Sequence, residues 1–127
     1  MKLKKFNLSF GTQIFKSFSD ESRTRILNLL FHCNELTISD LVTILNFTQT
    51  KTSRHMAFLK NAGVVSSRNH DQWVFYRVRE EAYNMVNQIM GFLDKDSALQ
   101  DDLLTFETLK SNRELAANKI EAKNYYK

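Results

Sequence analysis

The chain of 127 residues contains no proline, three glycines and a single cysteine. Proline and glycine interrupt helices, so their scarcity favours long helices and few loops. The lone Cys33 excludes a disulfide within one chain and a metal site built from several of its thiolates. No apolar run approaches the roughly 18 residues of a membrane span, and polar residues interrupt any signal-peptide core. We therefore expect one cytoplasmic domain without a membrane partner.

Acidic residues are scarce in the middle of the chain. Residues 46–79 carry six Lys/Arg and one acid, a net charge of +5. Residues 1–45 carry a net charge of +2, and residues 80–127 carry −3. A basic segment of this kind attracts a polyanion such as nucleic acid, although an ordinary solvated surface is the alternative.

Apolar residues at helical spacing, preceded by capping side chains, predict four helices within residues 5–61. The first spans about residues 5–18, and its apolar stripe consists of Phe6, Phe10, Ile14 and Phe18. Asp20, Thr37 and Thr48 are predicted to cap the next three helices, which end near residues 31, 45 and 61. Because Asn46 and Phe47 form a tight turn, the third and fourth helices are predicted to make a helix-turn-helix.

The pattern changes after Gly63. Two β-prone runs, residues 64–68 and 73–78, predict a hairpin whose tip is residues 69–72. Helical spacing returns from Glu80 to about Leu99, with a stripe of Ala82, Val86, Ile89 and Leu93. The polar tail beyond carries a weaker apolar seam of Leu99, Leu103, Phe106, Ala117 and Ile120. The predicted fold is mainly α with a small β-hairpin, an α+β arrangement.

The fourth helix is predicted to have two unlike faces. At about 100° per residue, Thr52, Met56 and Leu59 fall on the side that packs on the domain. The opposite side is small, polar and cationic: Thr50, Ser53, Arg54 and Ala57, with Gln49 and Lys60 at one flank. Gln pairs with adenine and Arg with guanine, while Ser and Thr bind bases or phosphates. This face predicts a recognition helix for the major groove, with a solvated surface helix as the alternative.

Three segments between Phe15 and Val78 resemble the ArsR/SmtB family of bacterial winged-helix repressors. FKSFSDESRTRILNLL is similar to the family's F-K-A-L-A-D-P-T-R-x-R-I-L opening. TQTKTSRHMAFLKNAGVV is similar to S-Q-S-T-V-S-R-H-L-x-x-L-x-x-A-G-L-V, and RNHDQWVFYRV to the wing and its W-V-Y-Y-R-L strand. The resemblance covers about half of the chain and departs at Glu21, where Pro is frequent, and Asp71, where Gly is frequent.

The resemblance implies a winged helix-turn-helix of order α-α-α-α-β-β-α plus a C-terminal helical tail. It implies a homodimeric repressor, paired through the first and fifth helices, on a pseudopalindromic operator of double-stranded DNA. Residues 1–100 are the expected DNA-binding and dimerisation domain, and residues 101–127 a helical extension.

The expected DNA contacts lie in the fourth helix and the wing: Thr48, Gln49, Thr50, Lys51, Ser53, Arg54, His55, Arg68, His70 and Gln72. For His55, bracing the helix is as plausible as binding a phosphate. The small domain can hardly cover two apolar stripes, so we expect a dimer interface made of Phe6, Phe10, Ile14, Val86, Ile89 and Leu93. Leu103, Phe106 and Ile120 are expected to fold the tail onto that dimer.

The sensor region departs from the family's metal pattern, E-L-C-V-C-D-L. Residues 35–41 read ELTISDL, so Thr37 and Ser39 replace the thiolates that soft metals require. The family's other metal site uses Asp and His from the fifth helix, but residues 80–100 contain no histidine. Asp94 and Asp96 either form a site for a hard metal or are simply solvated carboxylates. We therefore expect no metal and no cofactor, and the inducer stays open. Cys33 is either a small buried apolar residue or a redox switch whose pKa neighbouring His32 lowers.

No sequence feature indicates an enzyme: a Gly-rich phosphate loop, a metal-ligand motif and a nucleophile with an evident base are all missing. Two further functions stay open beside DNA binding. One is a protein-interaction module regulated by a partner on the C-terminal tail, and the second is a winged helix that binds RNA. Gln49, Ser53 and Arg54 on one outward face favour duplex DNA.

Overall fold

Seven helices and one β-hairpin make up the part of the chain that the structure describes. The computed structural model describes the backbone of residues 6–125 and the side chains of residues 6–120. The elements are α1 (Leu8–Ser17), α2 (Glu21–Cys33), α3 (Ile38–Leu45), α4 (Gln49–Asn61), β1 (Val65–His70), β2 (Trp73–Val78), α5 (Glu80–Leu93), α6 (Ser97–Ser111) and α7 (Ala116–Tyr125). The predicted order of elements is confirmed. None of these helices is both long and apolar enough to span a bilayer.

Short polar side chains cap α1, α2, α3, α4 and α6, because each satisfies a backbone N–H that has no partner within the helix. The Arg23 N–H donates to the Asp20 carboxylate at 3.0 Å, so the predicted cap of α2 is confirmed. Thr37 and Asp40 form a reciprocal capping box at the start of α3. The first helix begins later than predicted, at Leu8, because Asn7 caps it.

The helix-turn-helix consists of α3, α4 and the turn between them. Asn46 ends α3 in the left-handed region, with φ of 58°, a conformation that Asn tolerates better than most residues. Thr48 then begins α4 by accepting the Lys51 N–H at 3.1 Å. The predicted turn at residues 46–47 and the predicted cap at Thr48 are both confirmed.

The end of α4 is a Schellman motif built on Gly63, whose φ is +80°. The Val64 N–H donates to the Leu59 carbonyl and the Gly63 N–H to the Lys60 carbonyl, each at 3.1 Å. A side chain at residue 63 would also approach the Phe10 ring to 3.4 Å. The motif turns the chain directly into β1, which places the hairpin beside α4.

The hairpin is longer and its turn tighter than the sequence predicted. Antiparallel pairing runs from Val65↔Val78 to His70↔Trp73, so only residues 71 and 72 lie in the turn. Asp71 adopts a φ of 54°, which a two-residue hairpin turn requires. A backbone bridge between Leu36 and Tyr76 attaches the segment before α3 to the free edge of β2.

The core is centred on α2, whose Ile26, Leu27, Leu29 and Leu30 are at most 1% exposed. This helix contacts α4, α5, α6 and β2. It is also longer than predicted, because it continues past Phe31 to Cys33 and ends at Asn34, where φ is 68°. Packing against α2 therefore orients α4 relative to the rest of the domain.

The two apolar stripes expected at a dimer interface are partly buried within a single chain. Ile14 of α1 and Val86 of α5 are both fully buried within a single chain, in which α5 packs on α2. The expectation that a partner must cover these two residues is therefore wrong. The large apolar side chains that remain exposed on α1 and α5 are Leu8, Phe15, Tyr83 and Phe92.

The predicted long helix from Glu80 to about Leu99 is wrong, since two helices occupy this region. α5 ends at Leu93 and α6 begins at Ser97. The Asp96 carboxylate accepts the Ala98 and Leu99 N–H groups, and such a cap competes with continued helical bonding. The expected boundary at residue 100/101 consequently falls inside α6.

The tail packs on the helix-turn-helix of its own chain. Arg25 of α2 donates two hydrogen bonds of 2.9 Å to Asp102 of α6. At the start of α7, the Ala116 N–H donates to Asp40 of α3 at 3.0 Å. Leu115 is only 1% exposed, so it is a core residue of the tail that the apolar seam did not predict. These contacts bind α6 and α7 to the unit that presents α4.

Candidate nucleic-acid interface

The two predicted faces of α4 are confirmed by burial. Thr52, Met56 and Leu59 are at most 1% exposed, and the Thr52 hydroxyl donates to the Thr48 carbonyl at 2.8 Å. The opposite face carries the exposed Thr50, Arg54 and Ala57 and the half-buried Ser53. No acidic side chain lies on α4, so its outward face combines polar groups, positive charge and a small alanine.

Gln49 and Ser53 are arranged side by side on the first turns of α4. The Gln49 amide donates a hydrogen bond to the Ser53 hydroxyl at 3.2 Å. An amide has two N–H donors and a carbonyl acceptor, so this bond leaves one donor and the acceptor to meet a base edge. Both side chains keep the capacity for the base contacts predicted from their types.

Lys51 lies close to the helix-turn-helix turn rather than extending freely from α4. Its ammonium group is 4.0 Å from the centre of the Phe47 ring. This cation–π contact orients the side chain while the ammonium keeps its charge. Lys51 therefore adds positive charge near the start of α4.

His55 is buried, with 6% of its surface exposed. Burial lowers its pKa below the ordinary value, although the nearby Asp20 opposes that shift. The imidazole is therefore neutral near pH 7 and contributes no charge toward a phosphate. Of the two roles left open by the sequence, this placement favours bracing α4 against the domain.

The wing is attached to its surroundings by two polar contacts. The Lys60 ammonium at the end of α4 donates to the Ser67 hydroxyl of β1 at 2.9 Å. Arg68 donates through Nε and Nη2 to the two carboxylate oxygens of Glu35, at 2.7 and 2.9 Å. Glu35 lies 33 residues away in sequence. Sequence reasoning missed its role, because no local pattern connects the two positions.

The tip of the wing carries the remaining predicted contacts. Gln72 is exposed, and His70 is half-buried with its ring 3.9 Å from the Asp71 carboxylate. The tip therefore projects one neutral polar side chain and a histidine beside an acid. Among the predicted wing contacts, Arg68 is paired with Glu35 and His70 lies beside Asp71.

Comparison with known proteins identifies this arrangement. A family model described as bacterial regulatory protein, arsR family, matches residues 20–67, which contain the helix-turn-helix and the start of the wing. The chain is 39% identical over 77 residues to the arsenic resistance transcriptional regulator ArsR2 of Pseudomonas putida, covering 61% of this chain and 67% of the relative. This chain belongs to the ArsR family. Its relatives and its fold are those of transcriptional regulators rather than enzymes.

Other ArsR-family relatives and solved structures support the assignment. The arsenical resistance operon repressor of Escherichia coli is 42% identical over 66 residues, which are 52% of this chain and 56% of that protein. HlyU of Vibrio cholerae superposes with a TM-score of 0.64 at 28% identity, covering 72% of this chain and 99% of HlyU. A homodimeric winged helix-turn-helix domain from Mycobacterium bovis has a TM-score of 0.62 at 22% identity, covering 69% and 82%, and shows the shared fold.

The matches to the curated relatives are partial. They span 67% of ArsR2 and 64% of ArsR1 of Pseudomonas putida, and 56% of the Escherichia coli repressor. The family model covers the helix-turn-helix and the start of the wing, which supports a DNA-binding transcriptional regulator. Dimerisation and operator binding therefore have to be inferred from this chain's own residues.

At positions 37 and 39, where the family pattern has thiolates, this chain has the hydroxyls of Thr37 and Ser39. Thr37 is 4% exposed and its hydroxyl accepts the Asp40 N–H at 3.0 Å. Ser39 is exposed on α3. Among the described residues, no group of three or more His, Cys, Asp or Glu side chains is placed to hold a metal ion. Asp96, one of the two acids considered for a hard metal, caps α6.

Cys33 has a raised pKa, contrary to the effect expected from His32. Burial raises the pKa of the thiol to about 12, with Glu107 adding to the shift and Lys110 opposing it. The thiol is therefore protonated at neutral pH, and a thiolate is the reactive form in oxidation and disulfide exchange. This environment favours a small apolar residue over a redox switch.

Proposed function

We propose that this ArsR-family chain is a homodimeric repressor of its own operon that binds a pseudopalindromic operator through α4 and the wing. The outward face of α4 carries the proposal, because it is exposed, acid-free and lined by side chains that read bases. A relative bears the name of an operon repressor, which supports repression. The protein would act in the cytoplasm, where operator DNA lies.

Base reading is assigned to the first turns of α4. Gln49, Ser53 and Arg54 project from the outward face, and Ala57 behind them lets the helix approach the groove floor. The N-terminal end of α4 is assigned to the phosphate backbone, through Thr48, Thr50 and Lys51. Buried His55 is not included among the contacts. Arg68, His70 and Gln72 are assigned to the backbone beside the site, because phosphate contacts position a protein on the duplex.

Residues 1–96 are proposed as the DNA-binding and dimerisation unit, with α6 and α7 as its extension. The shift from residue 100 follows the observed break between α5 and α6. Dimerisation is assigned to the three most exposed large apolar residues of α1 and α5: Leu8, Phe15 and Phe92. In such a dimer the two α4 helices would enter successive major grooves about 34–36 Å apart.

Footprinting on the promoter of the chain's own operon tests operator binding. Substitutions in α4 test whether its side chains recognise the bases. We expect Arg54→Ala and Gln49→Ala each to cost about 1–3 kcal/mol of operator binding per half-site, the worth of a bidentate base contact. Binding to random duplex should change less, as measured by fluorescence anisotropy at fixed salt. Lys119→Ala, which removes an exposed charge of the tail, is the control and should bind normally.

Equal affinity of the parent chain for operator and random DNA would contradict the assignment, as would an operator affinity that neither α4 variant reduces. Tighter binding to single-stranded RNA of the same sequence would favour the RNA-binding function instead. A footprint that forms only in the presence of a protein bound to α6 or α7 would favour the interaction module.

Soft metals are expected not to act as the inducer. Zn²⁺, Cd²⁺ or arsenite at one equivalent per subunit should leave operator binding unchanged within about twofold, because hydroxyls occupy positions 37 and 39. The doubly substituted Thr37→Cys, Ser39→Cys chain is the matched comparison and should gain metal binding in calorimetry. Calorimetry showing one tightly bound soft metal per parent subunit would overturn this prediction and would require a site shared between Cys33 and another chain.

A further inference from the structure

The acid that meets Arg68 of the wing comes from outside the basic segment of the sequence. Asn34, with φ of 68°, turns the chain after α2, and the next residue but one, Leu36, pairs with Tyr76 of β2. The two backbone hydrogen bonds of that bridge are 2.9 and 3.2 Å long. The intervening Glu35 is thereby fixed beside the hairpin, where its carboxylate meets Arg68.

The Glu35–Arg68 pair is bidentate, which is a strong geometry for a carboxylate and a guanidinium. The Arg68 side chain is 51% exposed and also lies over the Phe75 ring, 5.4 Å from its centre. Hydrogen bonding to Arg68 holds the pKa of Glu35 below its ordinary value, and Arg77 and His70 add to that shift. Glu35 is therefore ionised at neutral pH among three basic groups of the hairpin.

We propose that Glu35 lowers the affinity of the wing for the phosphate backbone of DNA by holding Arg68 in this ion pair. The inference rests on the proposed operator binding and concerns its sequence-independent part. A phosphate that approaches Arg68 meets a guanidinium already neutralised by a carboxylate. Because the pair is exposed, a phosphate can displace Glu35, but the displaced carboxylate then lies beside the phosphate and repels it.

The consequence is a smaller release of counterions when DNA binds. Each phosphate neutralised by a cation adds about 0.9 to the slope of log affinity against log salt concentration. A wing whose arginine is paired adds less than that. Base reading stays with α4, so Glu35 should alter operator and random DNA alike and leave their ratio unchanged.

The test measures salt-dependent binding of the full chain to its operator and to a random duplex. Glu35→Gln keeps the shape of the side chain and removes its charge. We expect the slope to steepen by about 0.9 for each wing that contacts DNA. Between about 50 and 200 mM KCl, that corresponds to about a 3.5-fold greater loss of affinity per wing. Asp101→Asn, an exposed acid on α6, makes the same change in net charge and should leave the slope unaltered.

Arg68→Ala separates this role from a general charge effect. In the parent chain Arg68→Ala should cost less affinity than in the Glu35→Gln chain, where it should remove the whole gain. Circular dichroism checks folding, and Glu35→Ala provides a second way of freeing Arg68. Unchanged slopes for both Glu35 variants, in a parent chain that binds its operator, would overturn the role of Glu35 alone. A parent chain that binds no duplex would refute the proposed function, and the role of Glu35 with it.

Discussion

Replacing Phe92 with aspartate is expected to convert the dimer into monomers that no longer hold the operator. Phe92 is 89% exposed on α5, so the substitution removes little contact from the core of its own chain. Burying one such side chain is worth about 1.5–3 kcal/mol, and a twofold interface buries two. A loss of about 3–6 kcal/mol would raise the dimer dissociation constant about 100- to 20,000-fold.

Operator binding should fall with the dimer although each α4 is intact. A dimer binds its second half-site as an intramolecular event, and losing that advantage costs about 100- to 10,000-fold in affinity. Sedimentation velocity at micromolar concentration reports the subunit state, and anisotropy reports operator binding. Phe92 is a cleaner probe than Ile89, because Ile89 also packs against the core of its own chain.

Leu104→Asp is the matched control for this substitution. Leu104 is 65% exposed but lies on α6, outside the proposed interface of α1 and α5. This variant should stay dimeric and bind the operator with the parent affinity. Sedimentation showing a monomer for the parent chain, or a dimer for Phe92→Asp, would refute the proposed interface. Dissociation by Leu104→Asp instead would move the interface to the tail.

Breaking the contact between α2 and α6 should destabilise the chain unequally, depending on which partner is removed. Asp102 is nearly buried, with 6% of its side chain exposed, whereas 32% of the Arg25 side chain is exposed. Arg25→Ala leaves a buried carboxylate without its cation, which costs about 3–5 kcal/mol in such pairs. Asp102→Ala leaves a guanidinium that can turn toward water, so we expect a cost nearer to about 1 kcal/mol.

The double variant gives the more discriminating result. Removing both side chains leaves no buried charge at this contact, so Arg25→Ala with Asp102→Ala should be more stable than Arg25→Ala alone. Urea denaturation at one fixed protein concentration measures all four chains, because the stability of a dimer depends on concentration. An Asp102→Ala chain as unstable as Arg25→Ala, or a double variant less stable than both, would show that burial of the carboxylate does not govern this contact.

Local features of the sequence determined the DNA-reading unit. A helical period of about 100° per residue was enough to separate the buried side of α4 from its outward side, since both faces belong to one regular element. Asp20, Thr37 and Thr48 were identified as caps because a cap acts within about three residues of itself. The change of pattern after Gly63 likewise marked the end of α4, because a C-terminal cap is also a local feature. The family resemblance then supplied the order of the elements.

Only the tertiary structure decided what surrounds that unit. Packing of α5 on α2 buried Val86 within one chain, and burial of His55 removed it from the proposed DNA contacts. Neither outcome follows from spacing along one helix, because burial depends on which other helix covers the stripe. Phe92 was therefore assigned to the proposed interface only because the tertiary structure leaves it exposed.

The ion pairs show the same limit most directly. Arg25 meets Asp102 across 77 residues, and Arg68 meets Glu35 across 33. By sequence alone, residues 46–79 form a basic segment with a single acid, and Glu35 lies outside it. The bridge from Leu36 to Tyr76 brings that acid onto the wing. Charge composition was thus set by the sequence, whereas the pairing of charges required the fold, because distant segments become neighbours only through packing.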